Sequence, residues 1–342
     1  MPVSWIANAR IAGQSADRVA VAFDGPRIVR IAANPPRGAH SLDATGHLLV
    51  PAFTDAHVHL AISGDARAQS EALLRGGVAA VLDLGAPERL VPSLASGCAP
   101  LQVAFAGPLL TAPRGYPTQT WGAGGYGLEI ASENEARESV ARVAALGARF
   151  VKLALDARFP VLDASTARAA VEEAHRRELL VAAHVFEPDL VRLAVAAGVD
   201  VLAHTPGGTL PDDLVREIGA RRLRVISTLH AYRGEGIENL RRLREAGAIV
   251  AYGTDLGNEG ISPGIDAEEL SLLSAAGLSF DAVLDAVHEA ALLVGIPGTV
   301  TPGTRADLML VPEEALSQPA LLARPAQVWI AGALRRGEAS GP

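Results

Sequence analysis

The chain has 342 residues, of which 49% are hydrophobic and only 4% aromatic, so it is long enough for one large domain with a core of alanine, valine and leucine. Its formal charge of −8 argues against a nucleic-acid or anionic-membrane surface, and its single cysteine, Cys98, excludes an internal disulfide. The N-terminus lacks a signal-peptide pattern and no run approaches ~20 apolar residues, so we expect a cytoplasmic protein that acts on a small molecule.

The first 49 residues contain strand-forming segments at 5–11, 19–23 and 28–31, with Asp24-Gly25 as a hairpin signal between the last two. After residue 296 the chain is rich in turn residues and then returns to apolar segments at 308–311 and 327–331. Because both ends are β-like, we predict that residues 1–49 and 297–342 pair into one small β-sandwich.

From residue 50 the pattern changes to short apolar segments that alternate with helical ones. Strands are predicted at 50–57, 78–84, 101–106, 149–155, 180–184, 199–204, 223–228 and 248–254. Helices are predicted at 132–146, 164–177, 187–197, 211–221 and 235–246, several of them followed by glycine. Eight strand–helix units in about 250 residues predict a (β/α)8 TIM-like barrel over 50–296, an α/β fold whose active site lies at the C-terminal ends of its strands. A doubly wound sheet is the alternative, but no Gly-x-Gly-x-x-Gly turn opens a helix after a strand.

The segment 107–127 is rich in glycine and proline and is predicted to be a long loop after the third strand. A loop of this length in a compact barrel is usually a lid or a substrate wall, although it can also be a surface excursion without a role. Tyr116 and Trp121 are the aromatic residues in it that we expect to line a substrate pocket.

His57 and His59 follow a short apolar strand. Side chains two apart on a strand point the same way, so both imidazoles project from one strand end, where they can hold one divalent cation. A His-x-His pair is a weak signal by itself and becomes specific only if further ligand-type residues lie at later strand ends.

Four such residues do lie at the ends of later predicted strands: Lys152, His184, His204 and Asp255. A lysine within an apolar strand is almost never buried unless it is paired. Lys152 therefore either reaches a carboxylate such as Asp156 at the rim or carries a carbamate, formed with carbon dioxide, that bridges two metals. Either histidine alone would more often be an ordinary core residue, but the whole set predicts a metal centre.

The chain also contains five stretches with a familiar pattern: 51–59 (PAFTDAHVH), 147–152 (GARFVK), 201–204 (VLAH), 252–257 (YGTDLG) and 302–308 (PGTRADL). They resemble the amidohydrolase superfamily, and more closely its imidazolonepropionase-like and lysine-containing dipeptidase-like branch. The resemblance implies a metal-dependent hydrolase in which six residues match the metal-site positions: His57, His59, Lys152, His184, His204 and Asp255. Two residues depart from the pattern, Ala52 where the family usually has glycine and His288 where it often has a small hydroxyl residue, and they leave the substrate open.

On this resemblance we expect two divalent ions, and zinc suits the mixed imidazole and carboxylate ligands. His57, His59 and Asp255 would hold the first ion, His184 and His204 the second, and N6-carboxylated Lys152 both. The hypothesis is that a bridging hydroxide attacks the carbonyl of an amide, cyclic amide, peptide-like or carbamate group. Asp255 then carries the proton to the leaving nitrogen as general base and acid.

The sequence leaves the substrate-binding residues, the exact reaction and the oligomeric state open. His230, after the seventh strand, is either a rim histidine or a substrate ligand, and Tyr116 is a weaker substrate candidate. The same site would also serve a deaminase, for which one metal suffices, or an ester or lactone hydrolase. A non-catalytic scaffold predicts lost ligands, and none is lost. Barrels of this kind often form homo-oligomers, but no feature of the sequence decides the oligomeric state.

Overall fold

The computed structural model describes residues 4–14, 17–62 and 64–337, so the outer ends of the predicted β-sandwich segments, 1–3 and 338–342, lie outside the described residues. The chain begins with five strands: β1 Ser4–Ile11, β2 Arg18–Asp24, β3 Arg27–Ala32, β4 Ser41–Asp43 and β5 His47–Pro51. β2 and β3 are antiparallel, with Asp24 paired to Arg27 and Gly25 at a φ of +49° in the turn. The hairpin predicted at Asp24-Gly25 is therefore confirmed.

The central part of the chain contributes parallel strands. They are β6 Phe53–Val58, β7 Val78–Asp83, β8 Gln102–Phe105, β9 Leu109–Thr111, β10 Gly127–Glu129, β11 Phe150–Ala154, β12 Leu180–His184, β13 Val201–Leu202, β14 Arg224–Ile226 and β15 Ile249–Ala251. They form a three-stranded sheet, β6-β7-β8, and a seven-stranded sheet in the order β10-β9-β11-β12-β13-β14-β15. Each of the eight strands predicted from residue 50 onward has a counterpart among them.

Backbone hydrogen bonds also cross from one parallel sheet to the other. On one side the Arg149 amide donates to the Phe105 carbonyl at 3.0 Å. On the other side the Ala56 amide donates to the Tyr252 carbonyl at 3.0 Å, and the Asp255 amide to the His57 carbonyl at 2.8 Å. The arrangement is a TIM-barrel-like α/β fold, in which the carboxyl ends of the parallel strands face one side.

Two boundaries predicted from the sequence are wrong. The strand predicted over 50–57 is divided at Ala52, because β5 ends in the sheet of the chain ends and the Ala52 amide donates to the Asp307 carbonyl at 3.0 Å. The segment 107–127 is not entirely loop, since it contains β9 and a 3-10 turn at Trp121–Gly124. β9 pairs with β11, where Leu109 lies opposite Lys152.

Helices lie between the strands: α1 Ala66–Arg75, α2 Val91–Gly97, α3 Glu133–Ala145, α4 Ala164–Arg176, α5 Pro188–Ala197, α6 Asp212–Ala220, α7 Ile237–Ala246, α8 Ala267–Ala275 and α9 Phe280–Val294. α5 and α7 end at Gly198 and Gly247, which adopt φ values of +96° and +107° as expected for glycine caps. Across the described ranges, no helix taken singly has the length and apolar character of a membrane span, and the bent pair α8–α9 meets these criteria only when both helices are combined.

The chain ends share one sheet. β16 Leu308–Pro312, β17 Gln327–Ile330 and β18 Ala333–Arg336 join the N-terminal strands in the order β18-β17-β16-β5-β1-β2-β3, with β4 paired to β1. β16 is antiparallel to β5 over five residue pairs, from Leu308 opposite Pro51 to Pro312 opposite His47. Phe23 and Trp329 pack edge to face, with ring centroids 6.1 Å apart, in the apolar core of this sheet.

Candidate metal centre

His57 and His59 lie at the carboxyl end of β6, and both are buried. The Nδ1 atom of His57 lies 2.8 Å from the Ala203 carbonyl oxygen, and that of His59 lies 3.2 Å from the Gly85 carbonyl oxygen. A carbonyl can only accept a hydrogen bond, so in each ring Nδ1 carries the hydrogen. The lone pair is therefore on Nε2, the nitrogen that remains free to bind a metal.

The His59 ring is packed closely between two glycines. A Cβ atom at Gly85 would lie 2.7 Å from Cε1 of His59, and one at Gly257 would lie 3.0 Å from Cβ of His59. Gly257 also has a φ of +124°, a backbone conformation that other residues rarely adopt. Glycine at these positions lets the backbone approach the ring and hold its orientation.

Asp255 closes the first group of ligand-type atoms. Its Oδ1 lies 3.3 Å from Nε2 of His57 and 3.4 Å from Nε2 of His59, and one ligand atom from each residue lies within 4.8 Å of the others. Burial by itself would raise the pKa of Asp255, but its electrostatic interactions with the surrounding imidazoles of His57, His204 and His59 outweigh it and hold that pKa well below its usual range. Asp255 is therefore ionised at neutral pH.

Lys152 lies on β11 with 1% of its surface exposed, and it is the only lysine in the chain. Within the described residues its Nζ atom has no hydrogen-bond partner. Burial lowers the pKa of Lys152 to about 7, so a large share of the amine is neutral near physiological pH. The alternative of a rim ion pair with Asp156 is not observed, because both oxygens of that carboxylate bind the Arg158 guanidinium at 2.6–3.2 Å.

His184 and His204 form a second pair of buried imidazoles. His184 ends β12 and His204 follows β13, and Nδ1 of the first lies 2.8 Å from Nε2 of the second. The Nδ1 atom of His204 is also 3.1 Å from the Thr228 hydroxyl and 3.9 Å from Oδ2 of Asp255. Burial lowers the pKa of His184 to about 3 and that of His204 well below its usual value, so both rings are neutral.

All six residues predicted as metal ligands line one cavity of about 170 Å³. Three of their buried atoms, Nε2 of His57, Nζ of Lys152 and Oδ1 of Asp255, have no hydrogen-bond partner among the described residues. Buried polar atoms without partners are costly unless something binds them. Neutral imidazoles and a carboxylate are donors that divalent zinc prefers, so the residues present fit a metal ion.

An aromatic wall completes the cavity. Tyr116 stacks on the His184 ring with centroids 4.7 Å apart, and Trp121 approaches the His59 ring edge to face at 5.4 Å. The indole N–H of Trp121 donates to the Tyr116 hydroxyl at 2.8 Å. Burial raises the pKa of Tyr116 to about 12, so its hydroxyl stays protonated. Both aromatic residues expected to line a pocket therefore do so.

A sequence profile of the amidohydrolase family matches residues 48–335. This chain belongs to the amidohydrolase family. It is 27% identical to an uncharacterized protein of Mycobacterium tuberculosis over 351 aligned positions, which cover 92% of this chain and 90% of the relative. Family membership supports an enzyme that hydrolyses C–N bonds.

Solved structures with the same fold include an amidohydrolase with a TM-score of 0.82 and 21% identity, covering 99% of this chain and 100% of that one. A Xaa-Pro dipeptidase with bound methionine has a TM-score of 0.83 and 18% identity, covering 98% of this chain and 100% of that one. At these identities the likeness shows the fold of this amidohydrolase.

His230 of this amidohydrolase is not among the residues that line the cavity. Its Nδ1 atom lies 2.7 Å from Oδ2 of Asp266, and its backbone N–H donates to Glu269 at 2.7 Å. The side chain that takes the position beside the metal ligands is Tyr232, whose hydroxyl donates to Oδ2 of Asp255 at 3.1 Å. The predicted substrate contact of His230 gains no support from its position and stays a prediction.

The sequence reasoning also missed Asp55, a fully buried carboxylate two residues before His57. Its Oδ1 accepts the backbone N–H groups of His57 and Thr254 at 3.0 and 3.1 Å, and its Oδ2 accepts the Thr254 hydroxyl at 2.6 Å. Burial raises the pKa of Asp55 to about 7. The sequence does carry a signal that could have identified Asp55, because it is a charged residue within an apolar strand. Such residues are rarely buried without partners.

Proposed function

We propose that this amidohydrolase is a metal-dependent enzyme that cleaves an amide-type C–N bond in a cyclic amide, peptide-like or carbamate substrate. The observation that carries the proposal is the group of buried, unpartnered ligand-type atoms on His57, Lys152 and Asp255 at one cavity. A site with that donor set and no bound ion would leave these atoms unsatisfied, whereas a divalent cation satisfies them together.

In this proposal two divalent ions, zinc by donor preference, are held by residues of this chain. His57, His59 and Asp255 would hold the first, His184 and His204 would hold the second, and N6-carboxylated Lys152 would bind both. The ions, when bound, supply positive charge that polarises the substrate carbonyl and acidifies water. Carboxylation of Lys152 requires a neutral amine, which its lowered pKa provides.

The residues of this chain then handle the proton. Asp255, held ionised by its neighbours, takes a proton from the attacking water and returns it to the departing nitrogen. Tyr232 donates a hydrogen bond to the other carboxylate oxygen and so orients Asp255. Trp121 and Tyr116 exclude bulk water from one side of the cavity. The products are a carboxylic acid and an amine, or a carbonic acid monoester and an amine from a carbamate, and a cyclic amide opens to a single amino acid.

We also propose three features of the architecture. The parallel strands form a closed (β/α)8 barrel, supported by the hydrogen bonds at Phe105–Arg149 and His57–Asp255. The shared sheet of the chain ends folds as a β-sandwich, supported by the common core that contains Phe23 and Trp329. The two units divide near Ala52 and after residue 296. We further propose that the protein is cytoplasmic.

Metal analysis combined with an Asp255→Asn variant tests the proposal. We expect about two equivalents of zinc per chain after growth with zinc and bicarbonate, and hydrolysis of simple amides or carbamates. Asp255→Asn lowers kcat by about 10²- to 10⁴-fold, the usual contribution of a positioned general base. Asp24→Asn, at an exposed strand end in the sheet of the chain ends, is the matched control and leaves kcat unchanged.

One equivalent of metal together with amine release from an aminated ring would instead support a deaminase. Normal turnover by Asp255→Asn contradicts the assigned proton carrier. An absence of bound metal in the wild type contradicts the proposal as a whole.

A further inference from the structure

The charges around the candidate cavity are unbalanced. Among the residues that line it, Lys152 is the only lysine or arginine, and the proposed function assigns it to the metal centre. Glu259 is the second carboxylate of the lining, after Asp255, and it lies in the exposed segment that follows β15. Within the described ranges Glu259 makes no ion pair or side-chain hydrogen bond, so no neighbouring side chain neutralises this exposed carboxylate of the lining.

None of the described residues that line the cavity is an arginine, and two arginines close to the aromatic wall are already bound. Arg158, which lies over the Phe159 ring at 6.0 Å, forms a two-pronged ion pair with Asp156. Arg89 donates to the Gly124 carbonyl at 2.7 Å, at the end of the 3-10 turn that carries Trp121. The lining therefore offers an incoming carboxylate no free guanidinium, which is the group that binds carboxylates best.

The uncharged part of the lining suits a different ligand. Tyr116, Trp121 and Tyr232 present aromatic surface, and Leu109 and Ile62 add apolar surface. Aromatic faces attract cations and accept neutral flat groups. A carboxylate, in contrast, would be desolvated against these rings and repelled by Glu259. The cavity of about 170 Å³ has room for a small molecule of this kind.

We propose that this site takes small amides without a carboxylate, preferring a cationic substituent over a neutral one and a neutral one over an anionic one, and that Glu259 sets this order. The inference rests on the proposed hydrolytic function and narrows its substrate class. The inferred preference distinguishes this chain from enzymes that hydrolyse dipeptides, because every unblocked dipeptide ends in a carboxylate.

Three related anilides test the order: acetanilide, 4-acetamidobenzoate and 4-acetamidobenzylamine, which share one scissile bond and carry a neutral, an anionic and a cationic para position. With the zinc-loaded wild type, we expect kcat/KM for the cationic anilide to exceed that for the anionic one by roughly tenfold, as for one charge interacting across a partly solvated gap. Raising the salt from about 0.05 M to about 1 M shortens the screening length to ~3 Å and narrows the ratio.

Variants at position 259 test whether Glu259 causes this charge preference. Glu259→Gln brings the ratio close to one, and Glu259→Arg inverts it, while the zinc content stays that of the wild type. Glu138→Gln, an equal change of net charge on the exposed face of α3, keeps the wild-type ratio. A preference for 4-acetamidobenzoate in the wild type overturns the inference. A cationic preference that survives Glu259→Gln overturns the role of Glu259.

Binding of the same three compounds, measured by calorimetry on the zinc-loaded protein, separates this inference from the proposed function. Binding in the expected order without hydrolysis supports the charge selection and contradicts amide hydrolysis of this class. Equal affinities, or no affinity for any of the three, overturn the charge selection, whatever the catalytic result.

Discussion

The Thr254 hydroxyl donates a 2.6 Å hydrogen bond to Asp55, and this bond joins two segments that are 199 residues apart in the chain. Asp55 precedes His57 on β6, and Thr254 precedes Asp255 after β15. The same carboxylate accepts the backbone N–H groups of His57 and Thr254. Asp55 is therefore a positioning residue, since it fixes the relative placement of two candidate ligands without facing the cavity itself.

Replacing Thr254 with valine removes the hydroxyl donor and keeps the shape of the side chain. Because the buried carboxylate loses a partner, we expect the free energy of unfolding to fall by about 1–3 kcal/mol, measured by urea denaturation. Because His57 and Asp255 lose their common support, we also expect zinc affinity to fall by about 10- to 100-fold, measured by titration. Thr209→Val, at an exposed loop position, is the control. Zinc affinity equal to that of the wild type would contradict the positioning role.

Replacing Lys152 with methionine separates the needs of the fold from those of the site. Without metal, the variant no longer buries an unpartnered amine, so its free energy of unfolding at pH 7 should rise by at least about 2 kcal/mol. With zinc and bicarbonate, it should bind less metal and lose at least about 100-fold in kcat, because the proposed bridging ligand is absent. Urea denaturation and metal analysis measure the two effects. A metal-loaded variant with wild-type turnover would rule out a role for the lysine.

We expect Glu269, which is not one of the candidate metal ligands, to make the stability of the fold depend on pH. It is fully buried on α8, accepts the His230 backbone N–H at 2.7 Å, and has a pKa raised by burial from 4.5 to about 7. A carboxyl group with a raised pKa in the folded state contributes stability that is complete below pH 4.5 and is lost as the pH rises through about 7. That loss is on the order of 3 kcal/mol for this difference in pKa.

The variant Glu269→Gln has no carboxyl group to ionise. We therefore expect the stability of the wild type relative to this variant to decline between about pH 4.5 and 7, and to stay level above that range. Chemical denaturation of both proteins across this pH range measures the difference. Glu268→Gln, the exposed neighbour on the same helix, serves as the control. A wild type that gains stability relative to Glu269→Gln over the range would show that the sign is wrong.

A 2.8 Å hydrogen bond joins Trp121 and Tyr116, and substitutions can test whether the two side chains act together. Trp121→Phe keeps an aromatic ring beside His59 but removes the donor, so the wall becomes less well ordered. We expect KM to rise by about three- to tenfold with kcat little changed, since the loss affects substrate binding more than chemistry. Tyr116→Phe removes the acceptor, and the double variant should match either single variant because both break the same bond. Fully additive effects would show that the two side chains act independently.

Much of this arrangement could be predicted from the sequence because it depends on local pattern. The carboxyl ends of parallel strands meet on one side of the fold, so ligand-type residues after strands such as β6 and β12 were expected to converge. The strand β9 was missed because its three residues lie among prolines and glycines, where propensity predicts a loop, and only pairing with β11 makes it a strand.

The parts that could not be predicted depend on contacts between distant segments. Nothing in the sequence near His230 shows that Asp266, 36 residues later, binds its ring outside the cavity lining. The bond between Asp55 and Thr254 is equally invisible to a local pattern. The division of the first predicted strand at Ala52 depends on the carbonyl of Asp307, which belongs to the far end of the chain.

Lys152 has a consequence for spectroscopy, because it is the only lysine in the sequence and carries the single ε-amino group of the chain. Protein labelled with ¹⁵N-lysine carries its label at one residue, and ¹³C-bicarbonate can form a lysine carbamate at that residue alone. A coupled ¹³C–¹⁵N resonance from such a sample therefore needs no assignment. It would report directly whether, and at what carbon dioxide concentration, this side chain is carboxylated.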